Sequence, residues 1–211
     1  ISKFATNNKK TVAIRFPKHP LFRKLLKNLE YPLAAPSANI SKGLSPISKE
    51  DVKEEFNKKI KFILDGGPSK VGIESTIVNL INKPEILRLG GIEINKIKKV
   101  LKKNIKFKRI NKNVVVPGQQ KIHYSPGIPI RLNVNKPKLN EAFMLINKRK
   151  KSDKNYYYLS KKNNLKEAGK NLYSLLRIIK KKGYKSIAVE KIPNIGIGQS
   201  INDRLKRASK Y

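Results

Sequence analysis

The chain has 211 residues, 38% of them hydrophobic, which is enough for one large or two smaller folded domains. Lysine and arginine number 49 against 14 acidic residues, so the formal net charge is +35. Because the sequence has no cysteine, disulfides and thiolate metal sites are excluded, and with only His19 and His123 as imidazole donors we expect no metal centre. The sequence shows no apolar run of the roughly 20 residues that a membrane helix needs and no signal-peptide core at its start, which favours a cytoplasmic protein.

The high charge has two explanations that the sequence leaves open. Lysine accounts for 40 of the basic residues and accompanies 26 isoleucines and 21 asparagines, a combination expected from a coding sequence biased toward A and T. The lysines are spread along every segment, whereas a surface that binds nucleic acid concentrates them on one face. The alternative is selected binding to a polyanion through counterion release.

Residues 1–112 alternate strand and helix patterns, which predicts an α/β domain. Strands are predicted at "TVAIRF" (11–16), "YPLAAP" (31–36) and "IKFILDGG" (60–67), and a pair of strands at "STIVNLI" and "EILRLGG", around the turn "NKPE". Helices are predicted at "HPLFRKLLKNL" and "SPISKEDVKEEFNKK", and a lysine-rich helix and tail follow Ile92. In the second of these helices Ser48 precedes Asp51 by three residues, the spacing of an N-terminal cap.

The stretch "VVVPGQQKIHYSPGIP" contains three prolines and two glycines, which indicates a linker, assigned to 113–127. A second strand and helix alternation fills 128–211 and predicts a smaller α/β domain. Strands are expected at "IPIRLNV", "AFMLINK", "NYYYLS" and "SIAVEKI", and helices at "LKEAGKNLYSLLRIIKKKG" and "QSINDRLKRASK". The first of these helices carries one apolar stripe of the kind that faces a core, formed by Leu165, Ala168, Leu172, Leu175, Leu176 and Ile179.

Candidate functional residues stand at strand ends, where an α/β sheet places its ligand crevice. There is no nucleophile-elbow triad or paired-carboxylate motif, so no catalytic residue is assigned. Arg15 ends the first strand and could hold a carboxylate or phosphate through two hydrogen bonds, or be a surface arginine. Thr11 shares its face by strand alternation, or is simply a strand former on an exposed face.

Three glycine- or serine-rich segments could approach an anionic ligand. The loop after Pro36 presents hydroxyls, an amide and backbone N–H groups, or is an ordinary turn. "DGGPSKVGIESTIV" has glycines around Ser75, which permit close backbone approach to a ligand, but it lacks a Walker sequence. Arg88 precedes two glycines and could bind a phosphate or lie on the surface. The His123–Tyr124 pair in the linker could pack onto a domain or over a site.

The order of these motifs is similar to that of the threonylcarbamoyl-AMP synthases with a YrdC-like fold. "TVAIRFPKHP", "APSANISKGLSP", "DGGPSKVGIESTIV", "ILRLGG" and "PGQQKIHYSPGIP" follow that family's motifs, and "GKNLYSLLRIIKKKG" and "IGIGQSINDRLKRA" resemble its Rossmann-like accessory domain. The resemblance implies part of a YrdC-like twisted-sheet domain at 1–112, a Pro/Gly linker at 113–127 and a small Rossmann-like α/β domain at 128–211.

The same resemblance implies an enzyme that condenses L-threonine, bicarbonate and ATP, with Mg²⁺ on the ATP, into threonylcarbamoyl-AMP and pyrophosphate. The product would pass to the tRNA threonylcarbamoyl transferase machinery for N6-threonylcarbamoyl modification of adenosine, and a weak contact with tRNA is permitted. The implied threonine-binding residues are Arg15, Ala35 (through its backbone) and Ser75. The implied ATP-binding residues are Thr11, Ser37, Asn39, Ser45, Arg88 and Tyr124.

Three departures from the family pattern bear on these assignments. Leu89 stands where the family commonly has proline, and Lys42 precedes Gly43 where the family has Ser-Gly directly, which could alter the path to Ser45. The family's N-terminal segment, with a threonine-rich strand and a lysine–arginine pair that binds ATP, is absent before Ile1, and the one methionine is Met144. We therefore expect a fragment with little or no synthase activity by itself.

A second interpretation is a basic module that binds tRNA or ribosomes without catalysis. Arg15→Ala discriminates between the enzyme and the RNA-binding module. Loss of threonine-dependent ATP binding with unchanged RNA affinity supports the enzyme, and a change in RNA binding alone supports the module. A third, carbamoyl transfer as in hydrogenase-maturation relatives, is disfavoured because the linker and tail domain follow the threonine-using branch.

Overall fold

The computed structural model describes residues 1–6, 8–81, 83–107, 116 and 123–210, and it has a mixed α/β architecture with two sheets. The helices are α1 (Lys3–Thr6), α2 (Pro20–Lys27), α3 (Lys49–Phe56) with a 3₁₀ turn at Asn57–Lys59, α4 (Ile94–Leu101), α5 (Leu165–Lys181) and α6 (Gly198–Ala208). The strands are β1 (Ile77–Asn79), β2 (Glu85–Arg88), β3 (Lys106–Phe107), β4 (Ile130–Leu132), β5 (Glu141–Leu145), β6 (Tyr156–Tyr158) and β7 (Ser186–Val189).

The C-terminal half is a four-stranded parallel sheet in the order β4-β7-β5-β6. All five residues of β5 are buried, as expected for a central parallel strand covered on both faces. Every strand and helix predicted for this half is confirmed, although the strands are shorter than the patterns that indicated them.

Helix α5 follows the predicted apolar stripe. Asn164 caps its N-terminus by accepting hydrogen bonds from the backbone N–H groups of Lys166 and Glu167. Four stripe residues, Ala168, Leu172, Leu176 and Ile179, are completely or almost completely buried, and Leu165 and Leu175 pack partly against the same core. The stripe therefore faces a core, as predicted.

The N-terminal half contains a smaller sheet in the order β1-β2-β3. The predicted pair of strands is confirmed: β1 and β2 are antiparallel, with Ile77 opposite Arg88. Helix α4 packs on this sheet through a small core centred on Ile86, Leu89 and Ile105. The predicted cap of α3 is also confirmed, since the Ser48 side chain accepts a hydrogen bond from the backbone N–H of Asp51.

The strands predicted at 11–16, 31–36 and 60–67 are wrong for the described structure, which forms no strand there. A strand is defined by a hydrogen-bonded neighbour, and the described residues place none beside these segments. Their apolar side chains are consequently uncovered: Ile14, Phe16 and Phe62 are 84%, 87% and 89% exposed.

Most of the predicted linker, residues 113–115 and 117–122, lies outside the described residues. The division of the chain at 1–112, 113–127 and 128–211 therefore stays a proposal. None of the helices in the described ranges combines the length and apolar character required to cross a bilayer.

An ion pair fixes the edge of the C-terminal sheet. Arg131 on β4 binds both carboxylate oxygens of Glu141, at 2.8 and 2.6 Å, and the Lys138 backbone N–H and the Ser186 hydroxyl donate to the same carboxylate. The side chain of Glu141 is 4% exposed. The hydrogen bond from Arg131 is the largest cause that lowers the Glu141 pKa from 4.5 to about 2.

Glu141→Gln should remove an acid-sensitive part of the stability. Because the folded pKa lies below the unfolded value, the carboxylate stabilises the protein above about pH 4.5 and this contribution is lost as the pH falls toward about 2. The pKa difference corresponds to about 3 kcal/mol at neutral pH. Urea unfolding of the intact protein at several pH values should show a flatter acid limb for the variant than for wild type.

Asp153→Asn, a change of an exposed carboxylate in the same half, is the control and should keep the wild-type pH dependence. An acid limb in Glu141→Gln as steep as in wild type would contradict the assignment.

Candidate functional site

Two strand ends of the N-terminal sheet meet at the candidate site. Arg88, at the end of β2, is 7% exposed, and its Nε and Nη2 donate to the Ser75 carbonyl at 3.1 and 2.9 Å. Gly90 makes this approach possible, since a Cβ at that position would lie 2.2 Å from the Thr76 nitrogen. The structure therefore brings together Ser75 and Arg88, two residues that the sequence assigned to different substrates.

The carboxylate of Glu74 lies next to this strand contact. Its Oε1 accepts hydrogen bonds from the Ser45 hydroxyl at 2.5 Å and the Tyr173 hydroxyl at 2.9 Å. Its Oε2 accepts from Arg204 Nε at 2.9 Å. Burial alone would raise the Glu74 pKa, but the charge of Arg204 and these hydrogen bonds outweigh burial and lower it. Glu74 is therefore held as a carboxylate and is not poised as a general acid.

Arg204, on α6, is 1% exposed, and all three nitrogens of its side chain donate hydrogen bonds. Besides Glu74 it donates to the Leu89 carbonyl at 2.7 Å and to Asp203 at 2.8 Å, and it lies 4.9 Å from the Tyr124 ring centroid. Burial opposes its charge, but the charges of its neighbours raise the pKa of Arg204 above its usual range. The side chain is a permanent cation between the two halves.

Tyr124, from the linker, is 1% exposed and has a φ of 62°. The left-handed backbone costs about 1 kcal/mol or more for a residue with a Cβ, so the packing of the ring must offset it. The ring lies 5.8 Å from that of Tyr173. Burial raises the pKa of the Tyr124 hydroxyl. Tyr124 packs against Tyr173 of α5 and Arg204 of α6, as the packing interpretation of the His123–Tyr124 pair predicts.

The loop after Pro36 is held at both of its ends. The Asn39 side-chain amide donates to the Ile40 carbonyl at 2.7 Å, while its buried Oδ1 has no hydrogen-bond partner among the described residues. Lys42 has a φ of 69°, and its carbonyl accepts from the backbone N–H of Ser125 in the linker at 3.0 Å. Despite Lys42, the path of the loop brings Ser45 to Glu74.

Four predicted site residues, Thr11, Arg15, Ala35 and Ser37, are exposed. The positive charge of Arg15 is one of those that, after burial, lower the pKa of Arg88, but no described hydrogen bond joins Arg15 to the cluster. In the described part of the chain no hydrogen bond joins the other three to Glu74, Ser75 or Arg88. Thr11 lines a shallow groove with Lys9, Lys10 and Val12.

Of the glycines in "DGGPSKVG", Gly66 and Gly72 lie against the chain itself, whereas Gly67 has open space around it. The Gly66 carbonyl lies 3.0 Å from His19 Nε2. Gly72 has a φ of 74° and packs on α5, where an added Cβ would lie 2.5 Å from the Lys170 Cα. Gly72 is therefore required by the packing of the two halves.

The arrangement suits the binding of anions. It supplies the guanidinium groups of Arg15 and Arg88. Over the residues described, no group of three or more histidine, aspartate or glutamate side chains is placed to hold a metal ion. Chemistry at this site would rest on positioning and charge, since Glu74 is already fully engaged.

Sequence reasoning missed Glu74, Tyr173 and Arg204. The available signal was in "INDRLKRA", where Arg204 shares the apolar face of α6 with Ile201, Leu205 and Ala208, all buried. An arginine at a core position requires a buried acceptor. The partner is 130 residues away, and no local pattern identifies it.

Comparison with known proteins agrees with the two halves. The "Telomere recombination" family model matches residues 1–90, and the model of the "Threonylcarbamoyl-AMP synthase, C-terminal domain" matches residues 92–210. Curated threonylcarbamoyl-AMP synthases of Pyrococcus abyssi and Bacillus subtilis are 33% and 30% identical to the chain over 100% and 99% of its length.

The crystal structure of P. abyssi Sua5 complexed with L-threonine superposes on the whole chain with a TM-score of 0.86 at 31% identity. The chain spans about two thirds of the length of these relatives, 67% of the P. abyssi protein and 66% of the B. subtilis protein. It combines a YrdC-like part with the C-terminal domain of that enzyme, so its two-domain α/β fold is confirmed. The chain belongs to the threonylcarbamoyl-AMP synthase family.

Proposed function

We propose that the protein carrying this chain is an L-threonylcarbamoyladenylate synthase, a nucleotidyltransferase that condenses L-threonine, bicarbonate and ATP. The observation that carries the proposal is the match of the entire chain to the P. abyssi protein complexed with L-threonine. The contacts around Ser75 and Arg88 support it, because they place hydroxyl and guanidinium groups at the strand ends where anionic substrates bind in α/β proteins.

We assign the threonine pocket to Arg15, the Ala35 backbone and Ser75. Arg15 would hold the substrate carboxylate through two charge-assisted hydrogen bonds. Ser75 is held in place by Arg88, which donates twice to its carbonyl. The hydroxyl of Ser75 is therefore presented from a fixed backbone.

The nucleotide would lie along the loop and the linker. Ser37, Asn39 and Ser45 would contact the phosphates. We place Thr11, Arg88 and Tyr124 on the nucleotide as well. ATP would enter as its magnesium complex, with the cation carried on the phosphates as part of the substrate.

The reaction requires two bonds to form. The threonine amine adds to the carbon of bicarbonate with loss of water, and a carbamate oxygen then displaces pyrophosphate from the α-phosphorus of ATP. No residue needs to form a covalent intermediate. The site would contribute by aligning three anions and neutralising their charge, which are the large terms in phosphoryl and nucleotidyl transfer.

The product would be consumed by a transferase that moves the threonylcarbamoyl group to an adenosine of tRNA. We propose a cytoplasmic location, since ATP, threonine and tRNA meet there. The basic surface would permit a weak contact with tRNA during this transfer. The alternative function is an RNA-binding module without catalysis, which the Arg15→Ala variant distinguishes from the synthase.

Arg15→Ala in the intact protein should weaken threonine use. Loss of a charged hydrogen-bonding group costs about 1.5 to 3 kcal/mol, so the threonine KM should rise about 10- to 100-fold with little change in the ATP KM. Pyrophosphate release is measured with L-threonine, bicarbonate and Mg-ATP, and mass spectrometry identifies threonylcarbamoyl-AMP.

Arg23→Ala, which removes a nearby exposed arginine on α2, is the control and should keep the wild-type threonine KM. The proposed function fails if wild-type protein releases no pyrophosphate in response to threonine, or if Arg15→Ala alters only the affinity for RNA.

Asn39→Ala and Ser37→Ala should each raise the ATP KM about 3- to 10-fold, in line with the loss of one hydrogen bond. The threonine KM should change much less, which initial-rate kinetics with each substrate varied will reveal. Ser41→Ala in the same loop is the matched control. Equal effects of all three changes on ATP would argue against a specific phosphate-binding role for Ser37 and Asn39.

A further inference from the structure

Helix α6 contacts the end of β2 through two residues that lie one helical turn apart. Arg204 donates to the Leu89 carbonyl at 2.7 Å, and Ser200 donates to the Gly90 carbonyl at 2.9 Å. Both hydrogen bonds are buried, so each restrains the backbone in a place that water does not reach. The end of β2 is thereby attached to the C-terminal half immediately after Arg88.

The same arginine restrains the other strand. Its Nε binds Glu74, the residue before Ser75, and the Glu74 carboxylate in turn holds the Ser45 hydroxyl. The Glu74 carbonyl accepts the backbone N–H of Gly91 at 2.9 Å, and the Ser75 carbonyl accepts the Arg88 side chain. Each of two residues proposed to bind substrates is therefore next in the chain to a residue that Arg204 holds: Ser75 follows Glu74, and Arg88 precedes Leu89.

Arg204 has no exposed surface with which to reach a substrate itself. It is 1% exposed, and its Nε, Nη1 and Nη2 donate to Glu74, Asp203 and Leu89, with the Tyr124 ring against its plane. Its effect on a reaction would be transmitted through the positions of Ser75 and Arg88. Misplacement of binding groups by about 1 Å can cost on the order of 100-fold in rate.

We propose that Arg204 is a positioning residue of the candidate active site: it aligns the Ser75 and Arg88 strand ends and the Ser45 hydroxyl, so that the C-terminal domain is a structural part of the catalytic centre. This inference rests on the proposed synthase function. It predicts that the C-terminal domain helps to set the geometry of the threonine and nucleotide sites, with Arg204 as the residue that contacts both strands.

Arg204→Met in the intact protein should lower kcat/KM for threonine about 10- to 100-fold, at a temperature well below its unfolding transition. Arg204→Lys keeps the charge but cannot bind Glu74 and the Leu89 carbonyl in the same planar geometry, so it should recover only part of the loss. The measurements are initial-rate kinetics for both substrates and thermal unfolding of each variant.

Arg131→Met is the matched control. It breaks another arginine–glutamate pair, one that lies within the C-terminal sheet and whose described hydrogen bonds include none to α6 or Glu74. We expect it to lower stability while leaving kcat and both KM values near wild type. If lower stability alone altered the kinetic constants, those of Arg131→Met and of the Arg204 variants would both change. If lost alignment alters them, only the constants of the Arg204 variants would change.

Ser200→Ala serves if Arg204→Met does not fold, because it removes one neutral hydrogen bond and leaves the ion pair intact. It should lower kcat/KM for threonine about 3- to 10-fold. The inference is overturned if folded Arg204→Met has the same kinetic constants as active wild type. If Arg204→Met does not fold, it is overturned when Ser200→Ala has the wild-type kcat/KM for threonine. Wild-type protein without threonine-dependent pyrophosphate release would overturn the proposed function, and this inference with it.

Discussion

The buried ion pair of Arg204 and Glu74 is the constraint on which the rest of the arrangement depends. A desolvated charge is tolerated only with a partner, and each of these two comes from a different half of the chain, 2.9 Å apart. Such a pair adds little net stability against an apolar alternative, yet removal of one member typically costs about 3 to 5 kcal/mol. The pair therefore specifies one relative placement of the halves more than it strengthens their association.

Several of the few acidic residues of the chain lie at the contact between its two halves. In a chain with 14 carboxylates and 49 basic residues, four of the carboxylates face cations of α5 or α6 across the contact between the halves. They are Asp51, Glu54, Glu55 and Glu74. Arg177 also donates to the Leu44 carbonyl at 2.8 Å, one residue before Ser45. Because unmatched positive charge would repel the halves, the carboxylates of α3 and Glu74 are needed where they stand.

Sequence patterns identified the C-terminal half more completely than the N-terminal half for a physical reason. Each strand of β4 to β7 finds its partner within the described chain, so apolar periodicity sufficed. The segments at 11–16, 31–36 and 60–67 have strand-like composition, but hydrogen-bonded partners decide whether a strand forms. Motif order singled out Ser45, Ser75, Arg88 and Tyr124 as candidates. It did not identify Arg204 and Glu74, because no periodicity encodes a contact across 130 residues.

The linker contacts both halves of the chain. Tyr124 lies against Arg204 and Tyr173 of the C-terminal half, while the next residue, Ser125, donates to the Lys42 carbonyl in the loop that leads to Ser45. A shift of α6 would therefore displace the Tyr124 ring and Glu74 together, and through them both the linker and the Ser45 hydroxyl. The strained φ of Tyr124 has the same consequence, since a backbone held at 62° persists only while the surrounding contacts over-determine it. The contacts that order the site are thus largely the contacts that join the two halves.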